Sequence, residues 1–154
     1  MGNAHPNIAP YQVFPTRDGH MVLAIGNDGQ FARFCESAGH PEFASDERFR
    51  TNPARVQHRD VLVSFIAQWT VQRDTAQWVG LLESAGVPCS PILDIDQVLS
   101  HPQAAARGMV LPGDSPDAPP MVAAPVLLDG RRPVADLAPP ALGAHEARWL
   151  HASS

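Results

Sequence analysis

The side chains able to do chemistry gather in a few places. Arg48, Arg50, Arg55 and Arg59, with His58 among them, form the densest basic group. Arg55 and Arg59 are four apart, so on one helix they share a face. Their planar guanidinium groups could then grip an anion with forked hydrogen bonds. Asp46, Glu47 and Asp60 are interleaved with them, which fits an ordinary ion-paired surface equally well. Gly26-Asn27-Asp28-Gly29 falls between a strand-like and a helix-like run, where phosphate-binding loops occur. Its spacing is neither G-x-G-x-x-G nor a P-loop, and a capping aspartate would repel a phosphate from that helix end. Asp94 and Asp96 could pair as acid and base, although helix capping accounts for them more simply. Cys89 could be a nucleophile, yet nothing basic flanks it to favour the thiolate. His145-Glu-Ala-Arg-Trp149 lacks the second histidine of H-E-x-x-H, and the other histidines are scattered, so no metal site is expected. No G-x-S-x-G elbow is present. The last place is Gly2 to Tyr11, a stretch poor in core-formers but rich in residues that fix turns and offer hydrogen bonds, among them His5, Asn7 and Tyr11. It reads as a loop leading into a strand, or as a disordered leader.

Composition narrows the chemistry further. All 11 basic residues of the 154-residue chain are arginines, which excludes a lysine Schiff base and a P-loop lysine. A formal net charge of −5 argues against nucleic acid or an anionic membrane as partner, because both demand a positive field. Cys35 and Cys89 lie far apart with no zinc spacing and fit free buried thiols in a reducing cytoplasm. No apolar run reaches the length of a membrane span. With 44% hydrophobic and 18% charged residues, the chain is built to fold.

The elements that must carry these residues follow from periodicity and punctuation. Tyr11–Pro15 and His20–Gly26 flank Thr16-Arg17-Asp18-Gly19 and predict a hairpin, with Gly19 supplying a positive φ and the second strand inside the sheet. Asp28 is placed as the N-cap of a helix through Phe31, Phe34, Cys35 and Ala38 that stops at Gly39. Ser45 to Phe49 fits one helical turn. Asn52 caps a long helix that begins at Pro53, with Val56, Leu62, Phe65, Ile66 and Trp69 as its apolar stripe. A further helix runs from Asp74 or Thr75 to Gly86, and Val87–Leu93 is extended at a sheet edge. Asp94 and Gln97 predict a capping box, and His101-Pro102 separates two short helices ending at Gly108. From Pro112 to Pro140 come eight of the 16 prolines, with β-like runs at Met121–Ala123 and Pro125–Leu128. That segment cannot build its own core. A short helix from Ala144 to Leu150 closes the chain. The expected fold is α+β: residues 1–111 as a small antiparallel sheet packed by helices, residues 112–154 as an extended proline-rich arm. Leu127, Leu128, Trp149 and Leu150 have too little local core to cover them, so exposed apolar surface or self-association is expected.

One pattern is specific enough to suggest a family. Gly2-Asn-Ala-His-Pro-Asn-Ile-Ala-Pro-Tyr11-Gln followed by Asp18-Gly19 resembles the family III CoA-transferases, which include formyl-CoA, carnitine-CoA and bile-acid CoA-transferases and α-methylacyl-CoA racemase. Further matches keep register: Gly26-Asn27 with Gln30-Phe31, Asp46-Glu-Arg-Phe49 with Thr51-Asn52 and Arg55-Val56, Trp78, Ala85-Gly-Val-Pro88, Pro91-Ile92, Arg107-Gly-Met109, Pro125, and Pro140 with Leu142-Gly143. The resemblance implies the small domain plus C-terminal arm of an enzyme that moves coenzyme A between carboxylic acids. The family's nucleophilic aspartate and most of its CoA contacts sit in a large domain with no counterpart in this chain, so no catalytic residue is expected here and the chain alone should be inactive. Coenzyme A is substrate rather than cofactor, and the partners implied are an acyl-CoA, a carboxylic acid and a second copy of the protein. His5, Pro6, Asn7 and Ile8 take the place of a glycine-rich active-site loop found in formyl-CoA transferases, and would line the acyl or acceptor side of a shared cleft. That replacement argues against formyl or oxalate specificity. A racemase-type member, a non-catalytic assembly domain, and an anion- or nucleotide-binding module at Gly26 to Gly29 remain as alternatives.

Overall fold

The computed structural model describes residues 2–112 and 120–133. The chain divides into two compact units at the Ile92–Leu93 peptide. The expected terminal helix, with Trp149, Leu150 and the His145 motif, lies outside the described residues.

In the first unit, β1 (Tyr11–Pro15) and β2 (His20–Ala24) pair antiparallel with Val13 opposite Val22. A third strand, β3 (Cys89–Pro91), joins the far side of β2 with Val22 opposite Ser90. The order β1-β2-β3 puts the apolar run in the middle, as its composition predicts. Phe14, Met21 and Leu23 are buried on one face.

The hairpin loop closes differently from expectation. Gly19 does not adopt a positive φ. Instead Thr16 N–H donates to Gly19 O at 2.9 Å, and the loop side chains are drawn to the start of α4 (Thr75–Ser84). Asp18 accepts from the Thr75 amide (2.7 Å) and hydroxyl (2.8 Å), and Arg17 forks onto Asp74 with two contacts of 2.6 Å. A loop held by a distant helix has no need of a strained turn residue.

Two helix starts also move by one residue. The cap of α1 (Asp28–Ala38) is Asn27, whose Oδ1 accepts from Gln30 N at 2.9 Å, not Asp28. The cap of α2 (Asn52–Gln57) is Thr51, not Asn52. Both displaced residues spend their side chains on tertiary contacts described below. Gly39 ends α1 in the left-handed region at φ +83, as its position predicts.

The long helix expected from Pro53 is two helices. Backbone at His58 (φ −106, ψ 26) leaves the helical well, and α3 begins at Arg59 and runs to Thr70. Leu62, Ile66 and Trp69 on α3 and Trp78 and Leu82 on α4 join Phe31, Phe34 and Cys35 of α1 and Phe49 in one core under the sheet. Trp78 satisfies its indole N–H on Thr70 O at 2.8 Å. His40 lies flat on Trp69 with ring centroids 4.2 Å apart.

In the second unit, α5 (Ile95–Ser100) opens with the predicted capping box: Asp94 accepts from Gln97 N at 2.9 Å while Gln97 accepts from Asp94 N at 3.0 Å. After His101-Pro102 comes α6 (Pro102–Ala106). β4 (Val110–Leu111) then pairs antiparallel with β5 (Met121–Val122). Leu127 and Leu128 are 55% and 63% exposed, so the bare apolar surface expected of this segment is present. The architecture is α+β, and among the described residues no helix is long and apolar enough to cross a membrane.

Asp46 turns its carboxylate back onto Arg48, accepting from the Arg48 side chain (2.6 Å from Nη2) and from its backbone N–H (2.9 Å). These contacts, the guanidinium foremost, hold its carboxyl down at about 2. A depressed folded-state value stabilises the fold above the unfolded value near 4, and the contribution disappears as pH falls through about 2. Urea unfolding of the wild type and Asp46→Asn should therefore differ at pH 7, with the wild type more stable, and converge towards pH 2.

Candidate functional site

The segment from Asn3 to Pro10 is an ordered loop pinned from both ends. On the strand side, Asn3 Oδ1 accepts from Val13 N at 2.9 Å and His5 N donates to Tyr11 O at 2.9 Å. The His5 ring stacks on Tyr11 with centroids 5.4 Å apart, and its Nδ1 accepts from Asn7 N at 3.1 Å. That contact requires Nδ1 to be the unprotonated ring nitrogen.

On the helix side, three residues of α2 and α3 reach back to the backbone of Pro6, Asn7 and Ala9. Asn52 donates from Nδ2 to Asn7 O (2.9 Å) and accepts at Oδ1 from Ala9 N (3.1 Å). Arg59 donates from Nη2 to Pro6 O at 3.0 Å. Arg55, wholly buried, donates from Nε to Ala9 O (2.6 Å), from Nη1 to Phe49 O (2.9 Å) and from Nη2 to Asp28 Oδ1 (2.8 Å). Its guanidinium lies over the Phe31 ring, 4.5 Å from the centroid. The loop is thus built from its carbonyls inward. The Pro6 and Asn7 side chains remain exposed while those of His5 and Ile8 are half-buried.

The basic cluster accordingly divides by role. Arg55 and Arg59 fall on different helices and do not form a shared anion grip. Arg55 is wholly buried with each of its three guanidinium nitrogens bonded inside the fold, so it is not presented to an outside anion. Arg48 and Arg50 pair locally with Asp46 and Glu47, which is the ion-paired surface. Sequence reading missed Asn52 and Arg55 as organisers of the loop. One signal was present: Arg55 precedes Leu62 by seven residues, a spacing that puts it on the apolar stripe, where a charge is unusual.

The other candidates are accounted for by structure. Gly26 N–H donates to Gln30 Oε1 at 2.7 Å, so the Gly26–Gly29 turn is closed by its own helix. Asp94 is a cap. Burial pushes the Cys35 thiol up to about 12 and raises that of Cys89, the wrong direction for a nucleophile. Among the described residues no three His, Cys, Asp or Glu side chains gather to hold a metal ion.

Replacing Arg55 by Met strands two buried carbonyls, each worth about 1–3 kcal/mol when left without a donor. Arg55→Met should lower the unfolding free energy by about 3 kcal/mol, read from the urea midpoint at unchanged slope. Asn52→Ala should leave the core intact, yet speed hydrogen exchange selectively at the Ala9 amide.

Comparison with known proteins places this arrangement. The profile of CoA-transferase family III matches residues 1–146. The chain is 38% identical over 152 residues to the succinate–glutarate CoA-transferase of Agrobacterium fabrum, covering 97% of this chain and 38% of that protein. It is 39% identical over 115 residues to the succinyl-CoA:glutarate CoA-transferase of Mus musculus, covering 75% of this chain and 26% of that protein. A CAIB/BAIF family protein from Brucella suis, 38% identical, superposes with a TM-score of 0.87 over 97% of this chain and 39% of its own. The chain spans well under half the length of these relatives. By its profile, its identity to these proteins and its fold, the chain belongs to CoA-transferase family III.

Proposed function

We propose that the chain supplies the small-domain wall of an acyl-CoA:carboxylate CoA-transferase, with the reacting aspartate carried by polypeptide beyond these residues. The observation that carries this reading is the pinned loop. Asn52, Arg55 and Arg59 fix the backbone at Pro6, Asn7 and Ala9, and the side chains of His5, Pro6, Asn7 and Ile8 along it stay exposed or half-exposed. A surface loop held this tightly, with the Pro6 and Asn7 side chains left exposed, suits a binding wall, where orientation must be set before substrate arrives. The acids in the names of the relatives support transfer between carboxylic acids rather than racemisation.

The chemistry would run through a carboxylate nucleophile. An aspartate oxygen attacks the thioester carbonyl, the C–S bond breaks, and coenzyme A leaves as thiolate from a mixed anhydride. The thiolate returns to the aspartyl carbonyl and releases the first acid, leaving an aspartyl thioester. The second acid's carboxylate then attacks that thioester, and the thiolate moves onto its acyl carbon, restoring the aspartate. In this scheme the loop lines the acyl or acceptor side of the cleft and shields the anhydride from water. The coenzyme enters as substrate, the working unit contains more than one copy of the protein, and two free cysteines suit a cytoplasmic setting.

A chimera tests this reading. With the matching segment of the Agrobacterium protein replaced by this chain, succinyl-CoA and glutarate should exchange coenzyme A, and the 154-residue chain alone should not turn over. A folded chimera with no exchange, or turnover by the isolated chain, would overturn it.

A further inference from the structure

The N-terminal loop offers few hydrogen-bond donors to anything outside it. Arg55 and Arg59 turn their guanidinium groups onto the carbonyls of Ala9 and Pro6. Along the backbone, Pro6 and Pro10 have no N–H. The His5 amide donates to Tyr11 O, the Asn7 amide to His5 Nδ1 and the Ala9 amide to Asn52 Oδ1. Three donors of the loop are left without an acceptor among the described residues: the Ile8 N–H, the Asn7 side-chain amide and one ring N–H of His5. The last is the one whose position is set. Because Nδ1 accepts from Asn7 N at 3.1 Å, the ring proton sits on Nε2. The ring is half-buried and stacked on Tyr11 with planes 18° apart, which restricts its rotation. Nε2 itself has no partner among the described residues and, unlike Arg59 Nη1, it is open to solvent.

We propose that His5 Nε2–H is a catalytic hydrogen-bond donor to the acyl oxygen on which negative charge develops during coenzyme A transfer, an assignment that rests on the transferase reading. Every nucleophile and leaving group in that scheme is a carboxylate or a thiolate, so no step needs a proton transferred. As the aspartate oxygen adds to the thioester carbonyl, the carbonyl π electrons move onto oxygen. When they return, the C–S bond breaks and the thiolate departs. His5 donates to that oxygen throughout and keeps its proton. A fixed neutral donor suits an oxygen that arrives uncharged and gains charge in the transition state, where a preorganised N–H contributes most. A group that arrives charged would instead call for a guanidinium, and Arg55 and Arg59 are both turned onto the loop backbone.

Two substitutions in the Agrobacterium chimera separate this role from that of a loop anchor. His5→Asn puts an acceptor near the Nδ1 position, keeping the contact with Asn7 N, but has nothing to donate at Nε2. His5→Gln reaches the Nε2 position with an amide N–H and gives up the Nδ1 contact. His5→Asn should lower kcat about 100-fold with KM little changed, as for the loss of one oxyanion donor, and His5→Gln should recover about tenfold of that loss. Arg48→Met, on the ion-paired surface, should change neither constant. The tautomer is read separately, from a long-range 1H–15N spectrum of the histidine rings in the 154-residue chain, so the assignment stays exposed to test even if a variant fails to fold. The expected result is a proton on Nε2, and a proton on Nδ1 would overturn the assignment. So would a folded His5→Asn chimera with undiminished kcat, or one that outperforms His5→Gln, which is the pattern of a mere anchor. A wild-type chimera without exchange removes the transferase reading and this assignment with it, whereas exchange that is indifferent to His5 removes the assignment alone.

Discussion

The buried guanidinium of Arg55 is the contact on which the first unit turns. Taking a charge out of water costs several kcal/mol unless its hydrogen-bonding capacity is filled. Here each guanidinium nitrogen meets an acceptor from a different direction: a loop carbonyl at Ala9, a turn carbonyl at Phe49 and a carboxylate at Asp28, with the Phe31 ring against its face. These acceptors come from the N-terminal loop, the turn before α2 and the start of α1. They are far apart in the chain. One side chain that must be satisfied by all three couples their positions. The half-exposed Asp28 keeps part of its hydration, so the ion pair avoids the full cost of a doubly buried one.

This coupling also explains where sequence reading stopped. Helix spans, the central strand, the capping box at Asp94 and the stop at Gly39 are local matters, set by periodicity, by one oxygen near a free amide or by one backbone conformation, and they are legible residue by residue. The two displaced caps are not. Asp28 and Asn52 are both good capping residues, and both abandon that role because a tertiary partner claims the side chain: Arg55 in one case, the Asn7–Ala9 backbone in the other. The preceding residue, Asn27 or Thr51, is itself a competent cap and takes over at little cost. Choosing between adjacent capping residues needs knowledge of what lies across the fold. Gly19 is the same lesson with backbone: its turn is tied down by Thr75 and Asp74, partners more than fifty residues away.

The site divides in the same way. That Gly2 to Tyr11 forms a loop leading into a strand was readable from composition, because side chains that offer hydrogen bonds in a core-poor stretch signal a constrained loop. Its supports were not, because arginines near acids normally mark a solvated surface, and Arg48 and Arg50 do obey that rule. What distinguishes Arg55 and Arg59 is the break at His58, which turns two residues four apart in sequence towards different targets. A continuous helix would have put both on one face.

The pinned loop has a second effect, on the sheet itself. β1 is an outer strand, and such strands invite another chain to pair with their unsatisfied backbone. Asn3 occupies the Val13 amide and His5 occupies the Tyr11 carbonyl, so the first few residues behave as a short false strand that ends the ladder. Trimming them for convenience in an expression plasmid would do more than remove a loop: it would uncover a sticky border along Tyr11 to Pro15 and add a site for aggregation.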